Sequence, residues 1–250
     1  MNKILLQLFV SILCLIILLF SIMNFAIKNK QFTCNKYILN TYLYILLTIN
    51  IITILLLGLE YNNINFNING IVFFGIFLLT IGSIILLHSI DPKQILLKHL
   101  VWLFFVLSIG FTFYPMYRLY DNHKHLIISA LSTTLGLFLV LSAIAFIRPD
   151  LISLSMGPIL LMLLIGVILF ELFAIGFNYF SKTKNKKNMS KIFRGISYFV
   201  IFLFMFYVLY DTKRLQINAV NCINADYIKE SMGLFLDIFN IFVRILGLKR

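Results

Sequence analysis

Eight apolar runs, joined by short polar connections and the last less apolar than the rest, dominate this chain. They are Ile4–Ile27, Tyr37–Leu59, Gly70–Ile90, Leu100–Tyr117, Leu126–Ile147, Leu151–Phe180, Ile192–Tyr210 and Ala225–Gly247. A helix crosses the hydrocarbon of a bilayer with ~20 apolar residues. Transmembrane strands instead show ~10-residue segments of alternating polarity, a pattern absent from these runs. Only 12% of the residues are charged and the mean hydropathy is +0.99. A water-soluble domain carries roughly 25% charged residues, so the chain reads as an all-α polytopic membrane helix bundle. Ile4–Ile27 is uncharged throughout and has no small-residue cleavage site, so it is read as a retained helix and not as a signal peptide.

The net charge of +12 falls on the short connections, the usual membrane pattern, which argues against a nucleic-acid partner. Lys182, Lys184, Lys186, Lys187, Lys191 and Arg194 form one basic loop, read as a topology signal or a contact with anionic lipid headgroups. With all eight runs spanning, nine Lys and Arg fall on one side and eleven on the other. A re-entrant last run would move Lys249 and Arg250 and reverse that tally, so orientation stays open. Cys14, Cys34 and Cys222 are scattered and odd in number, and are read as unpaired thiols.

Nine acidic residues make a census possible. Glu60, Asp91, Asp121, Asp150 and Asp226 fall at run ends or in connections, where water is expected to solvate them. Glu230 lies about one turn into the last run. Glu171, Asp211 and Asp237 remain. Asp237 is near the middle of its run, where a charge costs roughly 2.5–3.5 kcal/mol on insertion scales. Asp226, Glu230, Gly233, Asp237, Asn240, Arg244 and Gly247 recur at spacings of three and four, one stripe of a helix. The stripe is expected to face the protein interior. Asp237 then either carries function or bonds Asn240 or Arg244 as helix glue. Asp211 ends its run, where the helix dipole disfavours an acid unless Lys213 and Arg214 compensate. Glu171 is deep, without a partner nearby in sequence, and is either silent or bonded to another helix. His123 and His125 form a His-x-His pair in a connection, a weak metal signal.

Tyr207-Val208-Leu209-Tyr210-Asp211-Thr212, followed by Ala225-Asp226-Tyr227-Ile228 and by Leu234-Phe235-Leu236-Asp237-Ile238-Phe239-Asn240, resembles the ending of the transmembrane Bax inhibitor motif family. That family includes Bax inhibitor, lifeguard and Golgi anti-apoptotic proteins. Ala130 to Ala145, with Asp150 and Gly157, is similar to the family's preceding stretch. The resemblance covers about Tyr37 to Gly247. It implies seven family helices in residues 37–250, with residues 1–36 an additional transmembrane helix and basic linker.

The resemblance further implies that Asp211 and Asp237 are paired aspartates facing each other in the bundle, gating and sensing pH in a Ca²⁺ leak that inhibits cell death. Two carboxylates in contact share a proton, and full ionisation would repel them and leave oxygens suited to a transient, hard Ca²⁺ ion. Asn240, Arg244, Glu230, Glu171 and Lys93 are the candidate supporting groups. The family's second helix often carries a carboxylate, whereas Gly70–Ile90 here has none. No enzyme motif is present: there is no His-Glu-x-x-His, nucleophile elbow or nucleotide loop. The expectations are a non-enzyme without a cofactor, partnered by lipid, Ca²⁺ and other membrane proteins. It would reside in an endoplasmic reticulum or Golgi membrane if eukaryotic or viral, and in the plasma membrane if bacterial. The alternative is a membrane interaction protein that suppresses apoptosis through partner helices without conducting ions.

Overall fold

Residues 3–28, 31–64, 70–180, 186–222 and 224–249 are described by a computed structural model, with the side chains of Lys3 and 175–190 excepted. Among them are eight helices long and apolar enough to cross a membrane. The basic loop at 181–185 lies outside the described residues. So do the side chains of Lys186 and Lys187.

The chain divides into two units. The first holds α1 (Lys3–Phe25), α2 (Tyr37–Tyr61), α3 (Gly70–Ser89), α4 (Ile95–Leu119) and the opening turns of α8 (Tyr227–Leu248). Two short antiparallel strands, β1 (Ile27–Lys28) and β2 (Gln31–Phe32), connect α1 to α2. Helix α1 packs on α2, α2 on α4, and α3 on α4. The core of this unit is aromatic. The rings of Tyr37, Tyr44 and Phe32 all meet that of Tyr227, and the Tyr44 hydroxyl lies 2.8 Å from His99 Nε2. Phe9, Phe20, Ile71 and Leu79 point outward from α1 and α3. An apolar surface of that extent belongs against lipid.

The second unit holds α5 (Lys124–Ile147), α6 (Gly157–Phe180), α7 (Lys186–Val220) through Ile217, and α8 from Leu236. Gly157 allows α6 and α7 to touch. A Cβ there would lie 2.6 Å from the Tyr210 hydroxyl and 2.9 Å from its ring.

Four boundaries depart from the hydropathy runs by five residues or more, among them the start of α7 at Lys186 and not at Ile192. Helix α6 starts at Gly157 and not at Leu151, because Pro149–Leu151 and Leu154–Met156 form 3₁₀ turns first. Helix α4 starts five residues before its apolar run, at Ile95, and so takes in Lys98. Helix α7 continues ten residues past Tyr210, to Val220. Its polar residues find partners that hold the extension. Lys213 Nζ donates to the Ile152 carbonyl, and Gln216 Nε2 donates to the Ala145 carbonyl at 3.1 Å. Asp211 is therefore inside a helix and not at its C-terminus, which removes the dipole conflict expected from sequence.

Helix α8 is one continuous helix of 22 residues, about 33 Å at ~1.5 Å per residue, long enough to span. Its best apolar window is 56% buried, against 0% for α1. The expected polar stripe splits. Glu230 and Asp237 are buried at 7% and 4% exposure, whereas Gly233, Asn240 and Arg244 are half-buried and Gly247 is exposed. Met232, Phe235 and Leu246 on other faces are as buried as the acids. Burial around most of the circumference, and not a single inward face, sets the position of α8.

Candidate functional site

In the second unit, Asp211 on α7 and Asp237 on α8 lie against each other. Their carboxyls are joined by a side-chain hydrogen bond, and both are buried, at 8% and 4% exposure. Arg214, one turn along α7, places Nη1 3.4 Å from Asp211 Oδ1. Two acids thus face one guanidinium, which itself is about one-third exposed. Thr212 is fully buried, and its hydroxyl sits 3.4 Å from that of Ser142 on α5. Asp237 Oδ2 is buried and has no hydrogen-bond partner among the described residues, and the same holds for the Tyr207 hydroxyl. Tyr207 lies one turn before Asp211 and interacts electrostatically with both carboxyls. The result is a buried, proton-competent cluster with acceptor and donor capacity left over. Removing a polar group of this kind from water without a partner costs of order 1–3 kcal/mol.

The supporting candidates divide. Arg244 pairs with Glu171 on α6, with Nη1 to Oε1 at 2.6 Å and a hydrogen bond from Nη2 to Oε2 at 2.9 Å. Glu171 thus has the cross-helix partner that sequence left open, and Arg244 is engaged away from Asp237. Asn240 turns back on its own helix, donating to the Leu236 carbonyl at 2.8 Å. The helix-glue reading, in which Asn240 or Arg244 neutralises Asp237, is not what the geometry gives.

Glu230 and Lys93 belong to the first unit. Glu230 accepts from Asn218 Nδ2 at 2.8 Å. Lys93 is exposed in the α3–α4 turn, where its backbone N–H donates to Asp91 Oδ1 at 2.8 Å. The buried cation of that unit is Lys98, fully enclosed, with Nζ 2.5 Å from Asp226 and 3.0 Å from the Ile90 carbonyl. Asp226 is therefore ion-paired rather than simply water-solvated. Glu60 likewise accepts from the Tyr117 hydroxyl at 2.5 Å.

The cysteines also differ from expectation. Cys34 and Cys222 form a disulfide across 188 residues, while Cys14 is free and exposed. Their odd count hid the pair. His123 and His125 place their rings 6.0 Å apart, and no group of three or more metal-ligating side chains occurs among the described residues.

Sequence reasoning passed over Tyr207, Thr212 and Ser142 as members of the aspartate cluster. Tyr207 was open to discovery, since residues four apart share a helix face. Ser142 was not, because its place beside Thr212 depends on how α5 packs on α7.

A comparison with curated proteins gave no match. The family model described as "Inhibitor of apoptosis-promoting Bax1" matches residues 34–248 and leaves α1 and the two strands outside. With that match over most of its length and eight membrane-spanning helices, the chain belongs to the Bax inhibitor family as a multi-pass integral membrane protein.

Proposed function

We propose that this protein is a pH-sensitive leak pathway for Ca²⁺ in which Asp211 and Asp237 form the gate. The observation that carries the reading is the buried contact between the two carboxyls, with Asp237 Oδ2 left without a partner. One proton shared by the pair cancels most of their repulsion and closes them on each other. Loss of that proton sets two negative charges side by side at a site nearly closed to solvent, and Arg214 compensates for one of them. Separation of α7 and α8 then relieves the repulsion. Ca²⁺ takes six to eight oxygen ligands, more than two carboxylates supply. A hydrated ion in passage fits this donor set, and a resident ion does not. On this reading the chain has no catalytic role.

The test is Ca²⁺ flux in liposomes holding the full chain, measured across pH. Wild-type leak should rise as pH rises through the titration of the pair. Asp237→Asn or Asp211→Asn should flatten that dependence, since an amide supplies a permanent N–H in place of the shared proton. A leak with the same size and pH profile in both variants would sink the proposal.

A second reading, suppression of cell death through partner membrane proteins without conduction, also accords with the family's description as an inhibitor of apoptosis-promoting Bax1. Cell-death suppression that survives in the double Asp→Asn variant would support it over the leak.

A further inference from the structure

Three connections meet at one end of the first unit. The α1–α2 connection carries Cys34, the α7–α8 connection carries Cys222, and the disulfide joins them. The α3–α4 connection is tied to the same place, because Lys98 at the start of α4 holds both the Ile90 carbonyl and Asp226. Span parity agrees independently. Helices α2 to α7 make six crossings between the two cysteines. An even number returns the chain to the side it left.

A disulfide forms and persists in a secretory lumen, a periplasm or outside the cell, and is rare where glutathione and thioredoxin keep thiols reduced. We infer that the Cys34–Cys222 end of this protein faces an oxidising compartment, and that the Lys3 end of α1, the α4–α5 connection and the Leu248 end of α8 face the reducing cytosol. This assigns an orientation that charge alone leaves open. It agrees with the excess of basic residues, eleven against nine, on the side opposite the disulfide. A polar cavity of about 390 Å³, lined by Tyr37, Asn218, Cys222, Asp226 and Glu230, lies at the disulfide end. It would therefore open to the oxidising side. The inference does not rest on the ion-leak reading, and either stands if the other fails.

The test has two arms, both on the full chain in a bacterial inner membrane, where the outer face is oxidising. First, denatured but unreduced wild-type protein is treated with a polymer-tagged maleimide. One tag should add, at Cys14, and three after reduction. Three tags without reduction would overturn the inference. Second, single reporters are placed at opposite ends of α4, with Cys14→Ser and the disulfide intact. In sealed spheroplasts, a membrane-impermeant maleimide should modify Gln94→Cys. Asn122→Cys should react only after permeabilisation. The reverse pattern would overturn the orientation even if the disulfide is present. Should one reporter variant fail to accumulate, the other decides the sidedness alone.

Discussion

The Glu171–Arg244 pair should be worth far more than a surface salt bridge, and a double-mutant cycle measures it. The two side chains are 21% and 26% exposed. Their neighbours Phe170, Leu172 and Phe173 are 52–68% exposed and apolar, so the open side of the pair faces lipid. Water and salt then screen the pair little. Exposed pairs contribute roughly 0.2–1 kcal/mol, whereas removing one partner from a buried pair costs roughly 3–5 kcal/mol. Partial exposure and the reach of Arg244 toward the nearby end of α8 place the cost just below that range. Glu171→Leu alone, or Arg244→Leu alone, should destabilise by about 2–3 kcal/mol. At roughly 2–4 °C per kcal/mol for a chain of this size, the unfolding midpoint should fall by about 4–12 °C. The double variant leaves no stranded charge and should recover most of the loss. Thermal unfolding followed by far-ultraviolet circular dichroism in lipid nanodiscs reads all four proteins. Additive losses, or single losses below about 0.5 kcal/mol, would refute the claim that this pair acts as a unit shielded from water.

Lys98→Met leaves Asp226 as an uncompensated carboxylate beside a fully buried position, and should cost about 3–5 kcal/mol. Adding Asp226→Asn should restore part of it, read by the same melting assay. Gly157→Ala forces a methyl group into the Tyr210 ring beside Asp211, and should cost about 1–3 kcal/mol as overpacking. Melting of Gly157→Ala with and without Tyr210→Ala tests this, because the ring's removal should relieve the strain. Tyr207→Phe removes a buried hydroxyl that has no partner among the described residues, and should be neutral or stabilising by up to about 1 kcal/mol. A loss above 1 kcal/mol would show that the hydroxyl bonds a water or ion at the aspartate pair.

The sequence by itself determined the fold class, the number of spans and the cost of placing Asp237, because each follows from local quantities. A run of apolar residues must leave water wherever its neighbours lie, and a carboxyl at the middle of such a run is costly in any packing. Asp211 was legible only through the Tyr-Asp-Thr context that resembles a family, since its position at the end of an apolar run gave no cost of its own. The tertiary structure then decided what each polar group bonds. Arg244 meets Glu171 from 73 residues away, Lys98 meets Asp226 from 128, and Cys34 meets Cys222 from 188. Hydropathy records how a residue interacts with its solvent, water or lipid. It carries nothing about which of several distant polar groups will be brought within 3 Å, and that choice is made only when the helices pack.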